Sequence, residues 1–146
     1  MKVPGIAATI WLVLGPVIGP AIAQVSPESA FQGQAEYDLA VAANKENNPQ
    51  QKLDLLREWE RKFPDSKLRG ERFVMIAQAD HRIAAIGLRP GSTPAERDAA
   101  RKAATDLLDN IDRYLAPENQ PARLNDDQWK LIRQRLEAEA RSALHL

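Results

Sequence analysis

Apolar side chains recur every three or four positions along much of this chain, and that spacing predicts amphipathic α-helices. One stripe consists of Leu53, Leu56, Trp59 and Phe63. After residue 24, no stretch shows the alternation of β-branched and polar residues that a strand needs. Three further stripes follow: Phe73, Ile76, Ala77, Ile83 and Ala84; Ala100, Ala103, Ala104, Leu107, Leu108, Ile111, Tyr114 and Leu115; and Trp129, Ile132, Leu136, Ala140 and Ala143.

Capping residues and prolines divide the chain after residue 24 into five helices. Ser26-Pro27, Asn48-Pro49 and Thr93-Pro94 each place a favoured N-cap before the one helical position that tolerates proline. Ser66 can cap the third helix and Asn125 the fifth. We therefore predict helices over about 27–45, 49–63, 67–86, 94–115 and 126–144, with a loop over 116–123.

Each predicted helix has an apolar side and a charged side, so none is stable alone and neighbouring helices must cover one another. The turns between successive helices are short, which favours antiparallel packing. Trp59 and Trp129 lie on apolar stripes, and we expect both in the core because large aromatic side chains dominate burial. The predicted fold class is all-α, with five antiparallel helices.

The segment 53–66, with the sequence LDLLREWERKFPDS, resembles the second helix and exit turn of a bacterial tetratricopeptide repeat. In that family the helix pair often ends with an aromatic residue followed by P-D-S. The resemblance implies that the first helix belongs to the same repeat, with Ala40 at its small position and Pro49 starting the second helix.

The third and fourth helices are then a second repeat, and the fifth is a solvating cap of the kind that repeat arrays need. For residues 24–146 the resemblance implies two tetratricopeptide-like helical hairpins plus a C-terminal capping helix. The alternative is a plain bundle of five helices around one shared core.

The resemblance also implies a binding groove along the first helix of each pair. Amide side chains there suit the backbone of an extended peptide, and charged ones suit its termini. A tyrosine and a methionine add adaptable apolar contact. Ordinary exposed side chains are the alternative interpretation of each position. The expected groove residues are Tyr37, Asp38, Val41, Asn44 and Lys45 of the first helix, and Glu71, Arg72, Met75 and Gln78 of the third.

Residues 1–23 differ from the rest of the chain. Lys2 is their only charged residue, an apolar run spans 6–18, and Ala21-Ile22-Ala23 precedes Gln24. A basic start, a short apolar middle and an A-x-A end are typical of a secretory signal peptide. We therefore predict a signal peptide over 1–23 with cleavage after Ala23, followed by one domain over 24–146.

An uncleaved membrane anchor is the alternative, because the uncharged stretch 3–23 is close to the length of a spanning helix. Prolines at positions 4, 16 and 20 interrupt such a helix and favour the signal peptide.

The amino-acid composition limits the kinds of partner that this chain can bind. The 20 basic and 20 acidic residues give a formal charge of zero, which creates no field to attract nucleic acid or an anionic membrane. The absence of cysteine excludes disulfides, thiolate nucleophiles and iron–sulfur sites, and it suits a bacterial envelope better than eukaryotic secretion. We expect a protein or peptide partner, no nucleic acid, and no stable membrane span after cleavage.

Residues that could carry catalysis are scattered along the chain. No glycine pattern cradles a phosphate, and no G-x-S-x-G elbow is present. His81 has no acid three or four residues after it, so a surface or groove-edge histidine is expected rather than a metal ligand. Asp109, Asp112 and Asp126-Asp127 lack the order of a calcium loop. We expect no catalytic residue, no metal site and no cofactor.

These patterns predict an exported, non-enzymatic adaptor of the bacterial envelope, periplasmic or extracellular, that binds a protein or peptide in a helical groove. One alternative is a stand-alone helical bundle with a small-molecule or metal-sensing role near His81. A third hypothesis is an accessory fragment that works with a larger repeat protein.

Overall fold

The structure, a computed structural model, describes residues 31–145. This part of the chain forms five α-helices and contains no β-strand, which confirms the predicted fold class. A short 3₁₀ helix, Pro117–Asn119, interrupts the loop before the last helix. The α-helices are α1 (Gln34–Lys45), α2 (Pro49–Lys62), α3 (Arg69–Gly87), α4 (Pro94–Tyr114) and α5 (Asp126–Ala143).

The predicted N-caps of α2, α4 and α5 are confirmed by their hydrogen bonds. Asn48 Oδ1 accepts from two backbone N–H groups at the start of α2, at 2.9 and 3.1 Å. Thr93 forms a reciprocal capping box with Glu96, and Asn125 forms one with Gln128. Each box satisfies two backbone N–H groups that a helix start leaves unpaired.

The starts of α1 and α3 differ from the prediction. Residues 31–33 are not helical, and Gly33 has φ of 93° at the N-cap, so α1 begins later than position 27. Ser66 does not cap α3; its Oγ accepts from the Leu68 N–H, 3.1 Å away, inside the preceding turn. Ser26-Pro27, the predicted signal peptide and its cleavage point all lie outside the described residues.

Helix α3 lies at the centre of the fold. It packs against α2, α4 and α5, while α1 rests on α2 and α5 also packs on α4. Twelve of the 19 residues of α3 are buried, so its apolar surface extends around most of its circumference. The apolar side chains predicted for α3 are all buried, as are Trp59 and Trp129.

Small residues bring α3 and α4 together. Ala77 and Ala84 of α3, and Ala100 and Ala104 of α4, have no exposed surface. Side chains of this size let helix axes approach closely. None of the helices between residues 31 and 145 combines the length and apolar character that a bilayer crossing requires.

The end of α4 is fixed by Asn119. Its Nδ2 donates to the backbone oxygens of Arg113 and Tyr114, at 2.9 and 3.2 Å, and so satisfies carbonyls that the helix end leaves unpaired. Its Oδ1 lies only 2.8 Å from where a Cβ on Gly70 would be. The absence of a side chain at Gly70 therefore lets the 3₁₀ helix pack against the first turn of α3.

We expect Gly70→Ala to lower the free energy of unfolding by about 1 kcal/mol, because displacing Asn119 loses hydrogen bonds that outweigh the better helix propensity of alanine. In an Asn119→Ala background, the same substitution should raise stability by a few tenths of a kcal/mol or more. Urea denaturation of the four proteins measures both effects. Equal effects in the two backgrounds would refute the contact.

Candidate functional site

The face predicted as a groove is only partly open. On α1, Asp38 and Lys45 are exposed and Tyr37, Val41 and Asn44 are partly exposed. On α3, Glu71 is exposed and Gln78 is partly exposed, whereas Arg72 and Met75 are buried at 1% and 3% exposure. The last two therefore belong to the interior, and the exposed Arg82 extends the accessible stripe of α3.

Trp59 of α2 connects the two helices of this face. Its Nε1 donates to the buried Glu36 Oε1 of α1 at 2.8 Å. On the other side, the Arg72 guanidinium lies over the Trp59 ring, 5.6 Å from the ring centre. The α1 and α3 stripes are thus positioned by a common neighbour.

Arg72 holds the end of α2. Its Nη1 donates to the backbone oxygens of Trp59 and Phe63, at 3.3 and 2.9 Å. Burial lowers the pKa of Arg72, and its buried Nε has no hydrogen-bond partner. An arginine that binds the last carbonyls of a helix stabilises that end, so this side chain contributes to the fold rather than to an open groove.

His81 is not at the surface, contrary to the prediction. It is 2% exposed, and its Nε2 is hydrogen-bonded to Glu139 of α5. Glu139 also accepts from Arg135 Nε at 2.9 Å. Burial lowers the pKa of His81, although the Glu139 carboxylate opposes that effect. Within residues 31–145, no group of three or more histidine, cysteine or acidic side chains could hold a metal ion.

The sequence reasoning missed a buried charged cluster between α2, α3 and α4. Asp80 of α3 has no exposed surface, and neither of its carboxyl oxygens has a hydrogen-bond partner as an ionised group. Arg57 Nη2 of α2 lies 4.0 Å from Asp80 Oδ2 and forms an ion pair with Asp106 of α4. The Tyr114 hydroxyl donates to Asp106 Oδ2 at 3.2 Å.

Burial raises the pKa of Asp80 to about 8, and a hydrogen bond to Asp106 and the charge of Asp106 add to the effect, while Arg57 opposes it. Two ionised carboxylates have no proton to share, so this hydrogen bond forms only when Asp80 is protonated. The raised pKa means that Asp80 keeps its proton to a higher pH than an ordinary aspartate does.

A cavity of about 440 Å³ opens beside this cluster. Its walls come from α2, α3 and α4, with apolar side chains on one part and charged ones on another. The apolar wall consists of Leu53, Ile83, Ala99 and Ala103, and the polar part includes Asp54, Arg57, Asp80, Lys102 and Asp106.

The sequence contains a signal for Asp80, because it follows Ile76 by four residues and Ala77 by three and so occupies an apolar stripe.

The fold and these clusters define an all-α helical protein with two candidate binding surfaces, the accessible stripes of α1 and α3 and the cavity beside Asp80. No match was found to any protein-family model, curated protein or solved structure.

Asp80→Asn is expected to become more stabilising as the pH rises. The unfolded chain loses the Asp80 proton near the ordinary pKa of 3.8, whereas the folded protein keeps it up to about pH 8. The folded state therefore binds more protons in this window, and wild-type stability falls as the pH increases through it. Relative to wild type, the free energy of unfolding of Asp80→Asn should rise by roughly 2 to 4 kcal/mol between pH 5 and pH 8.

Urea denaturation at several pH values measures this difference. Asp109→Asn is the matched control, because Asp109 is an exposed aspartate on α4, the helix that carries Asp106. Its pH profile of stability should match that of wild type. Parallel pH profiles for wild type and Asp80→Asn would contradict the assignment, whatever the absolute stability of the variant. The other charged or titratable groups around Asp80 remain in place in both proteins: Asp54, Arg57, Lys102, Asp106 and Tyr114.

Proposed function

We propose that this chain is an exported, non-enzymatic adaptor of the bacterial envelope that binds an extended peptide or a protein segment along α1 and α3. Gln78 supplies the observation that carries the proposal. It lies on the accessible stripe of α3, and its Nε2 is buried without a hydrogen-bond partner among the described residues.

An unpaired buried amide donor costs about 1 to 3 kcal/mol. Because the Gln78 side chain is partly exposed, its rotation toward a bound peptide would let Nε2 donate to a backbone carbonyl and relieve that cost. Extended peptides carry such acceptors at regular intervals. Glu71 precedes Gln78 by seven residues and Arg82 follows it by four, so both lie on the same face. Their opposite charges suit the two ends or the charged side chains of a peptide.

Helix α1 offers a mixed polar and apolar surface for the same ligand. Tyr37 is partly exposed and makes an edge contact with Phe31, with the ring centres 5.3 Å apart. Asp38 and Lys45 are exposed near it, and Val41 and Asn44 lie between them. An aromatic side chain held by a neighbour loses little freedom on binding, which favours affinity.

Two tetratricopeptide-like hairpins are the arrangement that we propose for the helices. The pairs α1 with α2 and α3 with α4 are each antiparallel neighbours, and α5 packs on α3 and α4 as a terminal cap would. The alternative role near His81 has less support, because His81 is buried and its Nε2 is already bound to Glu139.

Binding is tested by screening the exported protein, purified from its host, against a library of extended peptides and measuring hits by titration. We expect saturable binding that Gln78→Ala weakens by about five- to tenfold, the equivalent of one hydrogen bond. Gln134→Ala, at an exposed glutamine of α5, is the control and should bind like wild type. A library without saturable ligands, or equal effects of the two substitutions, would count against the groove.

Export has its own test. N-terminal sequencing of the protein recovered from the periplasm or the medium should begin at Gln24, because cleavage is predicted after Ala23. Recovery of the full chain from the membrane fraction would instead support the uncleaved anchor.

A further inference from the structure

We propose that the cavity between α2, α3 and α4 binds an amphipathic cation, an alkylammonium or alkylguanidinium group whose charge pairs with Asp80 and whose hydrocarbon chain lies along Ile83 and Ala99. This site is on a different part of the fold from the α1 and α3 stripes. The proposal for the cavity therefore does not depend on the adaptor function.

Among the charged residues that line the cavity, one carboxylate remains to pair with a bound cation. Asp106 is neutralised by its ion pair with Arg57, and the exposed Asp54 and Lys102 carry opposite charges. Asp80 is the remaining group, and its nearest cationic atom, Arg57 Nη2, lies at 4.0 Å. An ionised Asp80 therefore has no hydrogen-bond donor, although buried carboxylates require one. A ligand N–H group would supply both the charge and the donor.

The shape of the cavity favours a ligand with an apolar tail. Its volume of about 440 Å³ falls in the range of small-molecule sites. A neighbouring hollow of about 320 Å³ shares Gln50, Ile83 and Ala99 with it and adds the apolar surfaces of Ile86 and Ala95. The polar end at Asp80 thus continues into an apolar end along the first turns of α4.

Binding of the cation should release a proton. We expect Asp80 to be protonated in the free protein below about pH 8, because burial raises its pKa. When the ammonium group binds, this proton leaves to the buffer and a ligand N–H group donates to the Asp80 carboxylate. The charge of the site is unchanged, because one cation replaces one proton. The affinity should therefore increase with pH up to about 8.

The test is calorimetric titration of the purified protein with hexylamine and hexylguanidine, with hexanol and hexanoate as matched ligands that lack the positive charge. We expect saturable binding of at least one of the two cations, weaker by about tenfold or more for hexanol and hexanoate. Titrations in buffers of different ionisation enthalpy should show release of about one proton at neutral pH.

Variants separate the site from a non-specific effect. Asp80→Asn should weaken binding of the cation by about tenfold or more and abolish proton release, whereas Asp109→Asn should leave both unchanged. Ala103→Leu should also reduce affinity, because its larger side chain fills the cavity without changing a charge. Absence of binding by both cations, equal binding of hexanol, or full affinity in Asp80→Asn would each overturn the proposal.

Discussion

The structure depends on the burial of α3 among its neighbours. Helix α3 is covered on most sides and keeps only a narrow accessible stripe with Glu71, Gln78 and Arg82. Its other polar residues Arg72, Asp80 and His81 are buried. Each of these must be satisfied by another helix, because an unpaired buried charge is costly. Arg72 binds carbonyls of α2, and His81 binds a carboxylate of α5. Asp80 alone lacks such a partner when ionised, and it lines the cavity between α2, α3 and α4.

The sequence predicted the features that depend on interactions between residues close together in the chain. Apolar spacing and caps placed α2, α4 and α5 within about one residue of their observed bounds, because an N-cap and its first turn are contiguous in the chain. The partner of His81 lies 58 residues away, and no spacing rule reaches it. The repeat alignment placed Arg72 and Met75 in the groove with Glu71 and Gln78, which is wrong for the first two, because neighbouring helices bury them. The start of α1 depends on the backbone conformation of Gly33, which the apolar pattern does not encode.

The contacts between α2 and α4 explain why a cavity persists in this fold. Both helices pack on α3, and long charged side chains connect them to each other: Arg57 reaches Asp106, and Arg113 reaches Glu60 at 3.2 Å. Side chains of this length hold two helices at a distance, whereas interdigitated apolar residues would draw them together. The small side chains of Ala99 and Ala103 on α4 leave the space between them unfilled.

The attachment of α1 has a mechanical consequence. Its fully covered apolar residues are the small Ala40 and Ala43, while the larger Tyr37 and Leu39 pack on the core only partly buried. Its polar anchor is the Glu36 carboxylate, which accepts from the Trp59 indole. If α1 detached, water could hydrate both members of that anchor at once, so neither would be stranded in an apolar interior. We therefore expect α1 to be the helix that separates most readily from the rest of the fold.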